Sequence, residues 1–211
     1  MKPVVLLDVD GVVANFIDAT LEWLHENHRV MCADDSRNWP CWSMAEATFR
    51  QWPNGAVCCW GLPPQISTEE ATRLLWDAWN SDNFATRIRP YDGAVEGAKS
   101  LMEIADVYFV TSPIWTSKTW MYDRALWLRT YFGVDNGRII FTSSKHLVRG
   151  DIFIDDKLET VEKWSRHNPQ AYAVLWNQPY NQDCTGLIRA RDWSVIRRFV
   201  ALCDDRKTWG Y

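Results

Sequence analysis

Residues 4–16 read VVLLDVDGVVANF, and this stretch decides the fold. Four apolar residues, Val4–Leu7, run directly into Asp8-Val9-Asp10-Gly11. A short, unbroken apolar run suits a strand buried on both faces of a parallel sheet. Ligands bind at the carboxyl ends of such strands. Two carboxylates two residues apart converge on one site there, and Gly11 lets the chain turn sharply and approach a ligand closely. The repulsion between the carboxylates makes a divalent cation a natural neutraliser. Taken alone, the string reads equally well as a solvated acidic turn.

Outward from this strand, apolar runs recur at 107–110, 139–141, 152–154 and 171–175, each bounded by polar or turn residues. Helical patterns lie between or beside them, near 93–105, 118–132, 158–166 and 192–203. This alternation predicts an α/β fold, a parallel sheet with helices on both sides. Residues 16–90 break the rhythm. They carry helical pattern near 16–28 and 68–80, with a stretch rich in Pro and Gly between them. Ser67 is expected at an N-cap with Glu70 at the third helical position, and Ala71, Leu74, Leu75 and Ala78 share the face that follows. The expected organisation is a core of 1–15 and 91–211, with a helical cap, 16–90, inserted after the first strand. No internal repeat or low-complexity segment is found.

Three further strings carry candidate chemistry. Thr111-Ser112-Pro113 follows a predicted strand, and hydroxyls with free backbone N–H groups there can hold phosphate oxygens. An ordinary turn cap reads the same way. Lys145 supplies a point charge suited to phosphate, although a lone lysine is more often solvated. The run 152–154 ends in Asp155-Asp156, and paired carboxylates at the end of a buried strand are costly unless solvated or bound to something. Acids for a cation, hydroxyls for phosphate oxygens and a lysine for charge make up the inventory that phosphoryl transfer requires.

With these strings in place, the sequence resembles the haloacid dehalogenase superfamily of phosphatases, and within it the 5′(3′)-deoxyribonucleotidases. The resemblance is carried by DVDGVVANF at 8–16, FVTSPI at 109–114, SKHLVRGDIFIDDK at 144–157, WNSDNF at 79–84 and RPYDGAVE at 89–96. It covers most of the chain, but residues 30–66 match nothing in it. It implies a Rossmann-like core and a Mg²⁺-dependent phosphomonoester hydrolase acting on nucleoside monophosphates through an aspartyl-phosphate. Asp8 is then the nucleophile and Asp10 the general acid and base. Mg²⁺ is held by the Asp8 side chain, the Asp10 backbone carbonyl and Asp156, with Asp155 supporting it from behind. Thr111, Ser112 and Lys145 hold the phosphate. Phe16 and Trp79 match aromatic positions around the nucleoside, although plain packing explains each equally well.

Other features bound the alternatives. The chain has 211 residues, 47% hydrophobic and 24% charged, with a formal net charge of −4 and no long basic run. A broad nucleic-acid face is not indicated, so a polymeric substrate is not expected. The first apolar run is too short for a signal-peptide core or a membrane span, and no other segment approaches 18 apolar residues. A cytoplasmic protein off the membrane is expected. Cys32, Cys41, Cys58, Cys59, Cys184 and Cys203 form no CxxC pair and read as free thiols in a reducing compartment. Fourteen tryptophans, many between 23 and 79, suggest an aromatic surface or pocket in that region. His25, His28, His146 and His167 read as solvated or structural. No GxSxG, GxGxxG or P-loop string occurs. A receiver-like signalling module shares the inventory but has no need of a cap. A phosphatase of sugar phosphates or nucleic-acid 3′ ends remains an alternative, a silent relative is disfavoured by the intact acids, and a homodimer is left open.

Overall fold

The computed structural model describes residues 2–32, 35–39, 43 and 44, 59 and 60, 67–183 and 186–208. Six strands form one parallel sheet: β1 (Val4–Leu7), β4 (Asp106–Thr111), β5 (Ile139–Phe141), β6 (Ile152–Asp155), β7 (Tyr172–Trp176) and β8 (Ile188–Ala190). Their spatial order is β5-β4-β1-β6-β7-β8, so the first strand lies at the centre with β4 and β6 on either side. The register pairs Leu7 with both Phe109 and Ile154. The residues that follow these three positions therefore emerge side by side.

The two faces of the sheet are covered unequally. Val5, Leu7, Phe109, Ile154 and Val174 point to a large core shared with α4 (Ala94–Ile104), α5 (Trp120–Phe132) and α7 (Trp193–Thr208). Leu6, Val110, Phe153 and Leu175 point the other way, onto Val161 and Trp164 of α6 (Leu158–His167). Alternate residues of each strand thus serve opposite layers, which is why the runs are apolar throughout.

The described residues between 16 and 88 stand outside this sheet. They carry α1 (Phe16–His28), a two-strand antiparallel ladder of β2 (Met31–Cys32) and β3 (Cys59–Trp60), α2 (Thr68–Asn80) and the single turn α3 (Phe84–Arg87). Asn15 caps α1, its side-chain oxygen accepting from the Asp18 N–H at 3.2 Å. Ser67 caps α2 by accepting from the Glu70 N–H at 3.1 Å. Leu24 and Val30 pack on Leu74 and Leu75, joining α1 to α2.

Several boundaries differ from the sequence reading. Thr111 and Asp155 are the last residues of β4 and β6, held in the ladder opposite Phe141 and Leu175. Ladder hydrogen bonding carries each strand past the end of its apolar run. The β8 strand escaped detection because its three residues include Arg189 and a half-exposed Ile188. Cys203 is buried. The readings of the other five cysteines, and of most of 30–66, fall outside the described residues or side chains. Among the described residues, no helix is long and apolar enough to cross a membrane.

Candidate active site

The turn after β1 is built by its own backbone. The Val9 carbonyl accepts from the N–H groups of Val13 and Ala14 at 2.9 and 2.8 Å, and the Gly11 N–H donates to the Ala14 carbonyl at 3.1 Å. Gly11 sits at φ +79°, and a Cβ there would collide with the Asp156 carboxylate and the Tyr180 hydroxyl. Both the backbone angle and the close approach require glycine. The Gln178 side-chain amide donates to the Gly11 carbonyl and holds the turn from below.

Asp8 is buried. Its Oδ1 accepts from the Val9 N–H at 2.7 Å and pairs with Lys145 Nζ at 2.6 Å. The same ammonium reaches Asp155 Oδ2 at 2.8 Å, while Asp155 Oδ1 accepts from the Lys157 N–H at 2.8 Å. Both oxygens of Asp155 are therefore engaged. Asp156 is held differently. Tyr180 donates its hydroxyl to Oδ2, Asn181 donates to the backbone carbonyl at 2.8 Å, and Oδ1 is buried with no hydrogen-bond partner. One oxygen from each of Asp8, Asp155 and Asp156 lies within 4.8 Å of the others.

The electrostatics follow from burying three carboxylates with one ammonium. Burial raises the Asp8 pKa well above the usual carboxylate range. The charge of Asp155 adds to this, and Lys145 only partly offsets it. Asp156 is pushed up to about 8, by burial first and Asp155 second. Burial alone would lower Lys145, yet Asp155 and Asp8 together hold it above its normal value. The cluster with all acids ionised lacks two positive charges. That deficit, the orphaned Oδ1 of Asp156 and the all-oxygen donor set suit a hard divalent cation.

Asp10 lies outside this carboxylate cluster. Its Oδ1 pairs with Arg124 Nη2 at 2.6 Å, and Thr111, fully buried, lies beside it. Burial raises the Asp10 pKa and Arg124 pulls it back. Ser112 is exposed at the rim, its hydroxyl 3.4 Å from the Thr142 carbonyl.

Two cavities meet here. A polar one of about 360 Å³ is lined by Asp8, Asp10, Ser112, Lys145, Asp155 and Lys157, with Ser143 and Thr160 behind. An apolar one of about 380 Å³ starts at Asp10, Gly11 and Asp156 and runs between Phe16, Ile17, Trp39, Met44, Leu75 and Trp79. The rings of Phe16 and Trp79 lie 5.4 Å apart, and the Trp79 indole N–H donates to Thr20 Oγ1 at 3.1 Å. All nine candidate residues from the sequence line one of these cavities or, as with Thr111, abut Asp10. None of the four histidines lines either. His146 instead packs edge-on against His167, with ring centroids 4.7 Å apart.

Sequence reading missed Arg124, Tyr180, Tyr91, Trp39, Gln178 and Asn181. Arg124 left a trace, because it lies between Trp120 and Trp127 on the buried stripe of α5, where a charge needs a reason. The others sit in loops or in the single helical turn Pro179–Asn181, where no periodicity marks which residues turn inward.

Comparison with known proteins follows this geometry. The model of the family described as 5′ nucleotidase, deoxy (Pyrimidine), cytosolic type C protein matches residues 2–204. The chain is 31% identical over 184 residues to the mitochondrial 5′(3′)-deoxyribonucleotidase of Homo sapiens, covering 84% of this chain and 72% of that protein. It is 34% identical over 159 residues to the mitochondrial 5′(3′)-deoxyribonucleotidase of Mus musculus, covering 72% and 64%. In fold it is similar to a haloacid dehalogenase-like hydrolase of Streptococcus pneumoniae, with a TM-score of 0.54, 9% identity, and 94% and 98% of the two chains covered. A likeness to an L-2-haloacid dehalogenase has a TM-score of 0.51 at 10% identity, covering 96% and 100%.

Proposed function

We propose, for a chain that belongs to the family of 5′ nucleotidases, deoxy (pyrimidine), cytosolic type C and is a phosphatase of haloacid dehalogenase-like fold, that it removes phosphate from nucleoside monophosphates, deoxy forms with pyrimidine bases above all. The observation that carries this reading is the meeting of a polar cavity, which holds Asp8, and an aromatic cleft at the Asp10 carboxylate. A phosphate site alone treats all monoesters alike, so discrimination must come from the cleft. Its walls are flat rings and apolar side chains, suited to a nucleobase and unsuited to a hydroxyl-covered sugar.

In this reading the Asp8 carboxylate attacks phosphorus and forms an acyl phosphate as the ester oxygen leaves. Asp10 gives that oxygen its proton, so the nucleoside departs as a neutral alcohol. Asp10 then takes a proton from a water molecule attacking the same phosphorus. Inorganic phosphate leaves, and the Asp8 carboxylate is restored. Lys145, Thr111 and Ser112 hold the phosphate oxygens. Asp8, Asp156 and the Asp10 carbonyl would hold Mg²⁺, and the saturated hydrogen bonding of Asp155 favours a supporting part for it. When bound, Mg²⁺ would offset the charge that phosphate brings to an already acidic cluster. Residues 16–90 form the cap, its helices α1 and α2 supplying Phe16, Ile17, Leu75 and Trp79 to the cleft. We place the protein in the cytoplasm, acting on small monoesters.

The test is turnover of dUMP, dTMP, UMP, dGMP and glucose 6-phosphate, with and without Mg²⁺. The expected order puts dUMP and dTMP first and glucose 6-phosphate last, with activity lost on chelation. Equal turnover of glucose 6-phosphate and the best nucleotide would leave only the general phosphatase.

A further inference from the structure

We infer that Arg124 is a positioning residue for the reaction, holding the Asp10 carboxylate at the reacting phosphate through a buried ion pair. This rests on the reading of Asp10 as general acid and base and extends it to a side chain that never meets the substrate. Arg124 is fully buried and lines neither cavity, and its ion-pair partner is Asp10. Its Nη2 lies 2.6 Å from Asp10 Oδ1, whereas Nε and Nη1 are buried with no hydrogen-bond partner. A buried guanidinium with one acidic partner is expensive, and an all-apolar side chain of similar volume would pack there at less cost. A role for the charge itself accounts for its presence.

The surroundings hold the guanidinium in one place. Its carbon lies 4.7 Å from the Trp120 ring centre and 5.3 Å from that of Trp127, so two indoles on α5 restrict it to one position. The Trp127 indole N–H is in turn fixed to the Ile88 carbonyl at 2.6 Å. Asp10 needs such an anchor. Asp8 follows β1 directly and continues its ladder, its N–H donating to the Ile154 carbonyl at 2.9 Å. Asp10 lies two residues into the turn, and its side chain is 28% exposed. A general acid misplaced by about 1 Å forfeits much of its advantage, on the order of 10²-fold in rate.

The experiment compares Arg124→Met and Arg124→Lys with Asp10→Asn and the double variant Asp10→Asn/Arg124→Met. Each is assayed on dUMP, whose leaving group needs a proton, and on p-nitrophenyl phosphate, whose leaving group does not. Arg124→Met is expected to lower kcat on dUMP by about 10- to 100-fold with KM little changed, and to lower the burst of p-nitrophenol much less. Arg124→Lys, which keeps the charge, should recover most of the loss. The double variant should be no slower than Asp10→Asn alone, because the arginine acts through that carboxylate. Equal losses on both substrates, or losses that multiply in the double variant, would mean that Arg124 serves only packing. If Asp10→Asn itself shows no dependence on the leaving group, the acid assignment falls and the inference falls with it. Should Arg124→Met not fold, Arg124→Gln carries the same comparison.

Discussion

The two cavities that meet at Asp10 are nearly equal in size, 380 and 360 Å³, and opposite in character. The polar cavity is built from strand ends and the residues just beyond them. Asp8 and Asp155 take their positions from the ladder of β1 and β6, and Lys145 is clamped between them. The apolar cavity takes its flat and apolar walls in large part from helices outside the sheet, with Phe16 and Ile17 on α1 and Leu75 and Trp79 on α2. The first holds charges in register against their mutual repulsion, which needs a rigid frame. The second offers area and shape, which helices inserted into the frame can vary without disturbing it. In the proposed reading, chemistry common to many phosphomonoesters sits on the sheet, and the choice among them sits on the helices outside it.

Substitutions at Asp8 and Lys145 in the polar cavity should harm every substrate alike. Asp8→Asn is expected to lower turnover by on the order of 10³-fold or more on dUMP and p-nitrophenyl phosphate alike, with the circular dichroism spectrum retained. Retention of more than a few per cent activity would remove Asp8 as the nucleophile. Lys145→Met should cost about 10²-fold on both substrates, as loss of a charged phosphate contact does. It should also destabilise the metal-free protein by about 3–5 kcal/mol, because Asp8 and Asp155 are left buried and unpaired. Urea unfolding with and without Mg²⁺ would measure this.

Substitutions in the apolar cavity should separate the substrates. Trp79→Ala is expected to lower kcat/KM for dUMP by about 5- to 150-fold, the worth of ~1–3 kcal/mol of base stacking. Activity on glucose 6-phosphate, which carries no aromatic ring, should change by less than about threefold, below the stacking range. Equal losses on the two would dissolve the distinction between the cavities.

The smallest effect concerns pH. The folded pKa of Asp156 is raised to about 8, so its native carboxyl binds a proton more tightly than the unfolded one. The contribution to stability is full below the unfolded value near 4 and is lost as pH rises toward 8. Between pH 6 and 8 the metal-free protein should lose about 2–4 °C in Tm per pH unit. Mg²⁺ should restore more stability at pH 8 than at pH 6. Calorimetry across this range would show a flat or rising Tm if Asp156 were already ionised at pH 6.

Much of this was legible in the sequence because it rests on local pattern. The strand ending in DVDG, the acids after 152–154 and the two helices of the insertion follow from apolar runs, periodicity and caps, each settled within a few residues of itself. Loop and short-element detail was not. The strand β8 is only three residues long, and α3 is a single turn, too brief for a period to register. Tyr180 reaches Asp156 from 24 residues away, and Arg124 reaches Asp10 from 114 residues away.

By itself, then, the sequence determined which residue types stand at the strand ends, and with them the class of chemistry. A strand end is defined by its own few residues, and parallel pairing brings all such ends to one edge. Only the tertiary structure decided how the charges are shared. Lys145 lies between Asp8 and Asp155, Tyr180 takes one oxygen of Asp156 and leaves the other open, and Arg124 holds Asp10. Each of these pairings joins separate elements, and its strength depends on the burial that packing alone creates.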